Sequence, residues 1–558
     1  VPDSNAGVAA VSPVSGSAAL LSWVDDPRPD IAVRFADGAD DWRPVPYPEL
    51  AAGVRRTAAG LRAAGVGTDD VVVIVAPTGA RFIELLFGTM LAGAVPCPAA
   101  PPGFGQDLTG YGVHLRQIVA QARPRLVATV PGFVDTLRDI VDDTPVVPDD
   151  RLLADDPGRL DLPRAELALL QFTSGSSGKA RGVRVPASAL AANVDIIRDW
   201  LGMRPDDPTA SWLPMHHDMG LIGCLVTPVT TQTDLWLLSP QQFIRSPLRY
   251  LRCFGELGAR LTAMPTFGLE HVVRRVRPAQ LAGMDFSAWR AVIVGAERVA
   301  ADTLTRFHEL LAPFGLDRRS LLPAYGLAEG TLAVTGLPLA EPWTSLPVDA
   351  SAVRLGAPAP IDPEHGSALV ASGRPLGPVG VTIVDGDGAP LPEGHVGEIA
   401  VTGPSVADGY HHAGASGNAM VTSFAGGSLR TGDAGFLHDG GLYVLGRLGD
   451  SLKLRGRVLL AEDVEAALET AGLPRHRHTV LLGLRGDRPT AVIVAEHTDP
   501  ARLDETVAVV DRVTEGADVV LVAAGVGTIP RTTSGKPKRH TLWTMFLAGE
   551  LDTQPRNR

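Results

Sequence analysis

Of the 50 basic residues in this 558-residue chain, only Lys179, Lys453, Lys536 and Lys538 are lysines; the rest are arginine. Coding bias toward arginine accounts for the excess. Under that bias a retained lysine points to a site that needs a compact ammonium where a planar guanidinium would not fit. Two of the four stand in Gly/Ser turns. Lys179 belongs to Thr173-Ser174-Gly175-Ser176-Ser177-Gly178-Lys179-Ala180-Arg181-Gly182, and Lys536 follows Pro530-Arg531-Thr532-Thr533-Ser534-Gly535. In the first turn, glycines allow positive φ and close approach of backbone to a ligand. Successive N–H groups and short hydroxyls then form a concavity for phosphate oxygens, to which Lys179 adds charge. The spacing is not that of a Walker loop: Gly175 and Gly178 are two residues apart in the intervening count, and Ala180 follows the lysine. Read alone, such a run is also a flexible linker; the apolar stretch 167–172 in front of it is what argues for a strand-borne loop.

Other residues of chemical interest lie at the ends of apolar runs. Residues 290–294 lead into Gly295-Ala296-Glu297, and Leu321-Leu322-Pro323-Ala324 leads into Tyr325-Gly326-Leu327-Ala328-Glu329. Thr431-Gly432-Asp433 and Gly446-Arg447 flank a hairpin through Gly440-Gly441. His216 and His217 adjoin Asp218 without a Cys or carboxylate set at metal-ligand spacing. Singly, each has a plainer account. Glu329 suits the first turn of a helix, Asp433 a surface turn, Arg447 a solvated face, Tyr325 a half-buried aromatic and Lys536 a solvated loop. His411-His412 reads as a solvated pair.

The elements that must position these groups alternate. Helical spacing at 47–64, a strand at 71–75, a helix at 81–91, a strand at 94–97, a helix at 115–122 and a strand at 126–129 predict α/β layers with parallel strands. The acidic segment 142–156 reads as surface, 188–201 as a helix, and 332–368, rich in Pro and Ala, as an insertion or long loop. Short strands at 381–410 suggest a small β-barrel. The last 110 or so residues carry their own β/α pattern, a helix at 459–471 and strands at 479–484, 490–495 and 519–523. The expected division is therefore 1–447, a large domain of layered sheets and helices with the small barrel, and 448–558, a smaller α+β domain.

A net charge of −12 argues against nucleic acid or an anionic membrane as partner. The longest apolar stretch, 82–95, is too short and too broken to span a bilayer. No basic-then-apolar leader is read at the N-terminus. Three scattered cysteines, Cys97, Cys224 and Cys253, suit a reducing compartment. A cytoplasmic protein is expected.

In order, these motifs resemble the adenylate-forming superfamily of acyl-CoA synthetases, peptide-synthetase adenylation domains and luciferases. Ser211 to Gly223, Ala328 before Glu329 and the extra sequence between Thr331 and Leu369 are similar to the fatty acyl-AMP ligases within it. Three features depart from that branch: Ser176-Ser177-Gly178-Lys179 is closer to CoA synthetases, Gly330 replaces a usual Ala, and Gly449 replaces Lys or Asp at the hinge. The resemblance implies attack of a substrate carboxylate on the α-phosphorus of ATP, with pyrophosphate leaving. It implies that Thr173, Ser174, Gly175, Ser176, Ser177, Gly178 and Lys179 hold the β- and γ-phosphates, and that Glu329 holds Mg²⁺, a hard cation suited to oxygen ligands. Tyr325, Gly326 and Leu327 would lie against the adenine, with Gly295, Ala296 and Glu297 opposite. Asp433 and Arg447 would reach the ribose, and Lys536 would neutralise carboxylate and α-phosphate as they meet. His217 would sit where acyl group and phosphate join, and Met264 through Phe267 would line the acyl tunnel.

The resemblance further implies a mobile C-terminal domain that swings about Gly449 so that the acyl group passes to a thiol, of CoA or of a carrier-protein phosphopantetheine. The acceptor stays open: the insertion points to a carrier protein, the phosphate loop to CoA. An amino-acid-activating domain and a non-catalytic nucleotide- or carrier-binding homologue are the competing readings. Against the first, His216-His217-Asp218 stands where a Phe-Asp-x-Ser stretch would bind an amine. Against the second stand Glu329, Asp433, Arg447 and Lys536.

Overall fold

The computed structural model describes residues 13–551 apart from 39, 104–107, 156, 158–164, 174–180, 413–421, 426, 455–456, 487, 497–509, 511–513, 515–516 and 532–535. Five consecutive β-branched residues make Val71–Val75 a strand buried on both faces, the signature of a parallel sheet under helices. It pairs in parallel with Val95–Pro98 and Leu126–Thr129, and Val146–Pro148 extends the sheet. Helix Ala80–Leu91, buried along nearly its whole length, and the 17-residue helix Tyr47–Ala63 belong to the same lobe. The acidic segment after 142 is not simply surface. Asp149 is buried, and Arg81 binds it at 2.9 Å, because a carboxylate leaves water only with a cationic partner.

A second sheet has nine strands. Its parallel centre runs Leu321–Gly326, Ala291–Val294, Leu261–Met264, Thr209–Ser211, Leu235–Leu237 and Ala32–Asp37, with antiparallel strands at both edges. The carboxyl ends of these central strands carry Gly326, Gly295 and Pro265, the edge at which open α/β sheets bind ligands. Gly326 is required by packing: a Cβ there would lie 1.9 Å from the Leu332 carbonyl oxygen.

Residues 332–368 are more ordered than a long loop. Ala333–Gly336 joins the nine-stranded sheet, and Ser345–Val348 pairs antiparallel with Ser367–Val370. Val348, Val353 and Leu369 share an apolar cluster with Phe436, Tyr443 and Leu445. The expected barrel is an antiparallel five-stranded sheet, Gly380–Val384, Gly397–Thr402, Ser423–Ala425, Ser428–His438 and Gly441–Arg447, and no pairing among the described residues closes it. Its hairpin turns on Asp439-Gly440, both at positive φ, one residue earlier than read from sequence, and pairs Asp433 with Arg447.

The C-terminal part is a three-stranded sheet, His478–Arg485, Arg488–Glu496 and Asp518–Ala524. Alternation sends Val480, Ala491 and Ile493 toward helix Ala461–Thr470, and Leu481, Val492 and Val494 toward helix Arg539–Leu547. Residues 459–460, expected to open the first of these helices, instead end the strand Arg457–Leu460. No helix among the described residues is long and apolar enough to cross a membrane.

Candidate active site

The hairpin register puts the Asp433 carboxylate opposite the Arg447 guanidinium, and Arg447 Nε lies 2.9 Å from Asp433 Oδ1. The Tyr325 hydroxyl donates to Asp433 Oδ2 at 2.6 Å. Three predicted groups from two sheets thus form one network. Asp433 raises the pKa of Arg447, and burial together with the Asp433 charge raises that of the Tyr325 phenol, so Tyr325 stays a donor. Gly295, Ala296 and Glu297, at the end of the neighbouring strand, line the same cavity as Tyr325. Ala296 has φ +68°, a left-handed conformation uncommon outside glycine, and Glu297 Oε1 accepts the Phe267 N–H at 2.8 Å.

Glu329 occupies the turn Ala328–Gly330 and is buried; its Oε1 accepts from the Tyr410 hydroxyl at 2.6 Å. The Arg181 guanidinium lies 4.5 Å over the Tyr410 ring. Neither Tyr410 nor Arg181 has a role in the sequence reading. Eighty-one residues separate Tyr410 from Glu329, and nothing in local spacing links them. Among the described residues no cluster of three or more His, Cys, Asp or Glu could hold a metal by itself. The Glu329 carboxylate offers oxygen donors, the ligand type a hard cation such as Mg²⁺ takes.

Thr173 ends the strand Leu167–Thr173 and lines the cavity. Ser174, Gly175, Ser176, Ser177, Gly178 and Lys179 lie outside the described residues. His217 precedes a π-helix, Met219–Val226, whose first N–H is capped by Asp218 Oδ1 at 2.8 Å. The wide turn suits a functional site and lets Gly220, Gly223 and Cys224 line the cavity opposite Ala263 and Ile293, which pair across neighbouring strands. Met264 does not belong to that lining. It is fully buried in the core, and its neighbours Ala263, Pro265 and Phe267 form the wall.

Lys536 enters the same cavity from the C-terminal part. Lys536 keeps contact with solvent; desolvation by the surrounding cavity wall, and then Arg447, lower its pKa, while Asp218, Glu297 and Asp433 oppose that shift. The His217 imidazole is likewise held below its usual value by burial, with Lys536 adding to the shift. Lys536 therefore interacts electrostatically with Arg447, Asp433 and His217, which come from elements outside its own part of the chain. Three residues on, Arg539 binds Glu462 at 2.8 Å, Glu465 at 2.7 Å and Asp450 at 3.2 Å. Its closeness to Lys536 in sequence was the one available signal for it. Gly449 is exposed within the short turn Leu448–Asp450. The cavity has a volume of about 2060 Å³, well beyond the roughly 300–1,000 Å³ of a site for one drug-sized ligand. It has room for a nucleotide and an extended second substrate together.

Comparison with known proteins agrees with this geometry. Residues 22–411 match the family described as AMP-binding enzyme. A putative acyl-CoA synthetase of Caulobacter vibrioides is 32% identical over 525 residues, covering 90% of this chain and 91% of that protein. A medium-chain-fatty-acid–[acyl-carrier-protein] ligase of Moorena producens is 30% identical, covering 92% of each. A structure from a study of fatty acyl-adenylate ligases of E. coli and L. pneumophila superposes with a TM-score of 0.86 at 30% identity, covering 97% of this chain and 98% of that one. The chain belongs to the AMP-binding enzyme family, the adenylate-forming superfamily whose members include acyl-CoA synthetases and fatty acyl-AMP ligases.

Proposed function

We propose that the protein activates a fatty or similarly hydrophobic carboxylic acid with ATP and passes the acyl group to a phosphopantetheine thiol. The observation that carries this is the convergence of Lys536 with the Asp433–Arg447 pair and His217 in one cavity. In the first half-reaction a carboxylate oxygen bonds to the α-phosphorus, the bond from that phosphorus to the bridging oxygen breaks, and pyrophosphate leaves. Two anions must approach, so the step needs fixed positive charge and in-line positioning. Lys536 supplies a point charge between carboxylate and α-phosphate. Asp433 accepts from the ribose hydroxyls, and Arg447 orients that carboxylate. Tyr325 and the 295–297 turn enclose the adenine. Thr173 and the loop after it hold the outer phosphates. Mg²⁺ held by Glu329 would neutralise charge on the phosphates, with Tyr410 orienting the carboxylate that binds it.

In the second half-reaction the thiol sulfur bonds to the acyl carbon and AMP leaves. We assign the C-terminal part, from about residue 448, as the body that moves between the two steps. A carrier protein is the favoured acceptor. Residues 332–368 form a built structure anchored on both lobes, and the Moorena relative carries a carrier-protein ligase name. Such a protein would act in the cytoplasm on a small-molecule acid. Mass spectrometry of products from ATP, an acid panel, CoA and a phosphopantetheinylated carrier protein tests donor and acceptor together. Lys536→Ala should slow adenylate formation by about 10²–10³-fold; adenylate made at the parental rate would overturn the assignment.

A further inference from the structure

The turn that lines the nucleotide side of the cavity is fastened to both lobes. On its own lobe, Glu297 accepts the Phe267 N–H and the Arg298 carbonyl accepts from Thr266 Oγ1 at 3.4 Å. Toward the C-terminal part, Arg298 Nη1 lies 2.5 Å from Asp463 Oδ1, at the first turn of helix Ala461–Thr470. Contact runs the other way too: Arg475 Nη2 donates to the Arg298 carbonyl at 2.7 Å, and its other nitrogens lie 3.5 Å from Glu270 and Glu469. One residue therefore offers its side chain to one point of the C-terminal body and its carbonyl to another, two positions after Ala296 with its positive φ.

Resting on the reading above, we propose that Arg298 is a positioning residue: it couples the 295–298 turn to the C-terminal body, docks Lys536 for adenylate formation, and releases that body for thiol transfer. The physical case is that the contact is strong enough to orient and poor enough to break. Side-chain exposure of Asp463 is 1% and of Arg298 17%, so closing this seam strips both charges of water. Asp463 Oδ2 has no hydrogen-bond partner among the described residues. A buried carboxylate satisfied at one oxygen recovers only part of its desolvation cost, and opening the seam returns that cost. Closure thus sits near balance, where filling of the turn by a nucleotide can tip it.

The test separates the half-reactions. In Arg298→Ala and in the near-isosteric Asp463→Asn, single-turnover adenylate formation should fall about tenfold, while transfer from supplied acyl-adenylate to a phosphopantetheine thiol stays within twofold of the parent protein or quickens. The double swap Arg298→Asp/Asp463→Arg should recover part of the first rate. Equal loss of both half-reactions, or no loss of either, overturns the proposal; Asp463→Asn with a parental thermal melt excludes misfolding as the cause. If the parent protein itself activates no acid, the functional reading fails first, and that outcome is distinct.

Discussion

Beyond the cavity that Lys536 enters, two contacts between the C-terminal part and the rest of the described residues differ in character. Near residue 450 the contact is apolar: Leu448, Val458 and Leu460 share one cluster with Val348, Val353 and Leu369 of the 332–370 segment and with Phe436 and Tyr443 of the five-stranded sheet. The Val458 N–H donates to the Val353 carbonyl at 3.1 Å. At the far seam the contact is polar, made by the Arg298–Asp463 and Arg475–Glu270 ion pairs and a hydrogen bond between Arg274 and His476. Apolar burial is non-directional and is lost wherever the surfaces part. Ion pairs are directional and can be exchanged for water at little net change. The difference suits a body that is held at one end and swings at the other. It also bears on the pivot. The hairpin Ser451–Leu454 and Arg457–Leu460 sends Val458 and Leu460 into the shared cluster and Leu452, Leu454 and Leu459 into the C-terminal core. If Gly449 is the pivot proposed above, rotation there would peel one face of that hairpin from the 332–370 segment.

Three experiments would break or sharpen this contrast. The largest effect is expected from Gly449→Pro, which should leave adenylate formation within a few-fold and suppress single-turnover thiol transfer by about two orders of magnitude, because proline fixes φ where the turn must change. Unchanged transfer would move the pivot beyond Leu460. Next is Leu460→Ala, a deletion in the apolar attachment. Burial of this kind is worth about 2–5 kcal/mol, so a lower melting temperature and loss in both half-reactions are expected; a loss confined to one would show that the apolar end also discriminates between the steps.

The smallest effect is in pH. Burial pushes Glu462, which faces Arg539, Asp450 and Glu465, up to about 7, and Glu469, which faces Arg475, Glu270 and Glu465, also to about 7, from an ordinary 4.5. A carboxyl with a raised folded pKa binds more protons in the packed state. Its contribution is thus full below the ordinary value and is lost as pH rises through about 7. His476, lowered by burial and by Arg274, works in the opposite sense on the acid side. Adenylate formation should therefore decline several-fold on the alkaline limb, measured between pH 6 and 8.5, and Glu469→Gln, at the Arg475–Glu270 contact, should flatten that decline. A limb unchanged by the substitution would remove Glu469 from the seam's pH response.

Much of the site was legible because its signals are local. Scarcity of lysine singled out Lys536, and the glycine pair at 440–441 implied a hairpin that brings Asp433 and Arg447 together. Apolar runs ending in Tyr325 and Glu297 marked the carboxyl edge of a parallel sheet. Met264 is buried in the core while its neighbours Ala263, Pro265 and Phe267 line the cavity, and sequence alone does not say which residues of such a stretch face inward. The segment 332–368 looked formless because its strands pair with partners chosen by the fold rather than by neighbouring periodicity.

By itself the sequence determined the order of elements, the chemical kinds of group available and the turns that carry them, since propensity and spacing act over a few residues. Only the tertiary structure decided who meets whom: Tyr410 with Glu329, Arg298 with Asp463, Val353 with Val458. Those partners are chosen by packing and by desolvation across segments far apart in the chain, and neither cost can be reckoned until the surfaces are in contact.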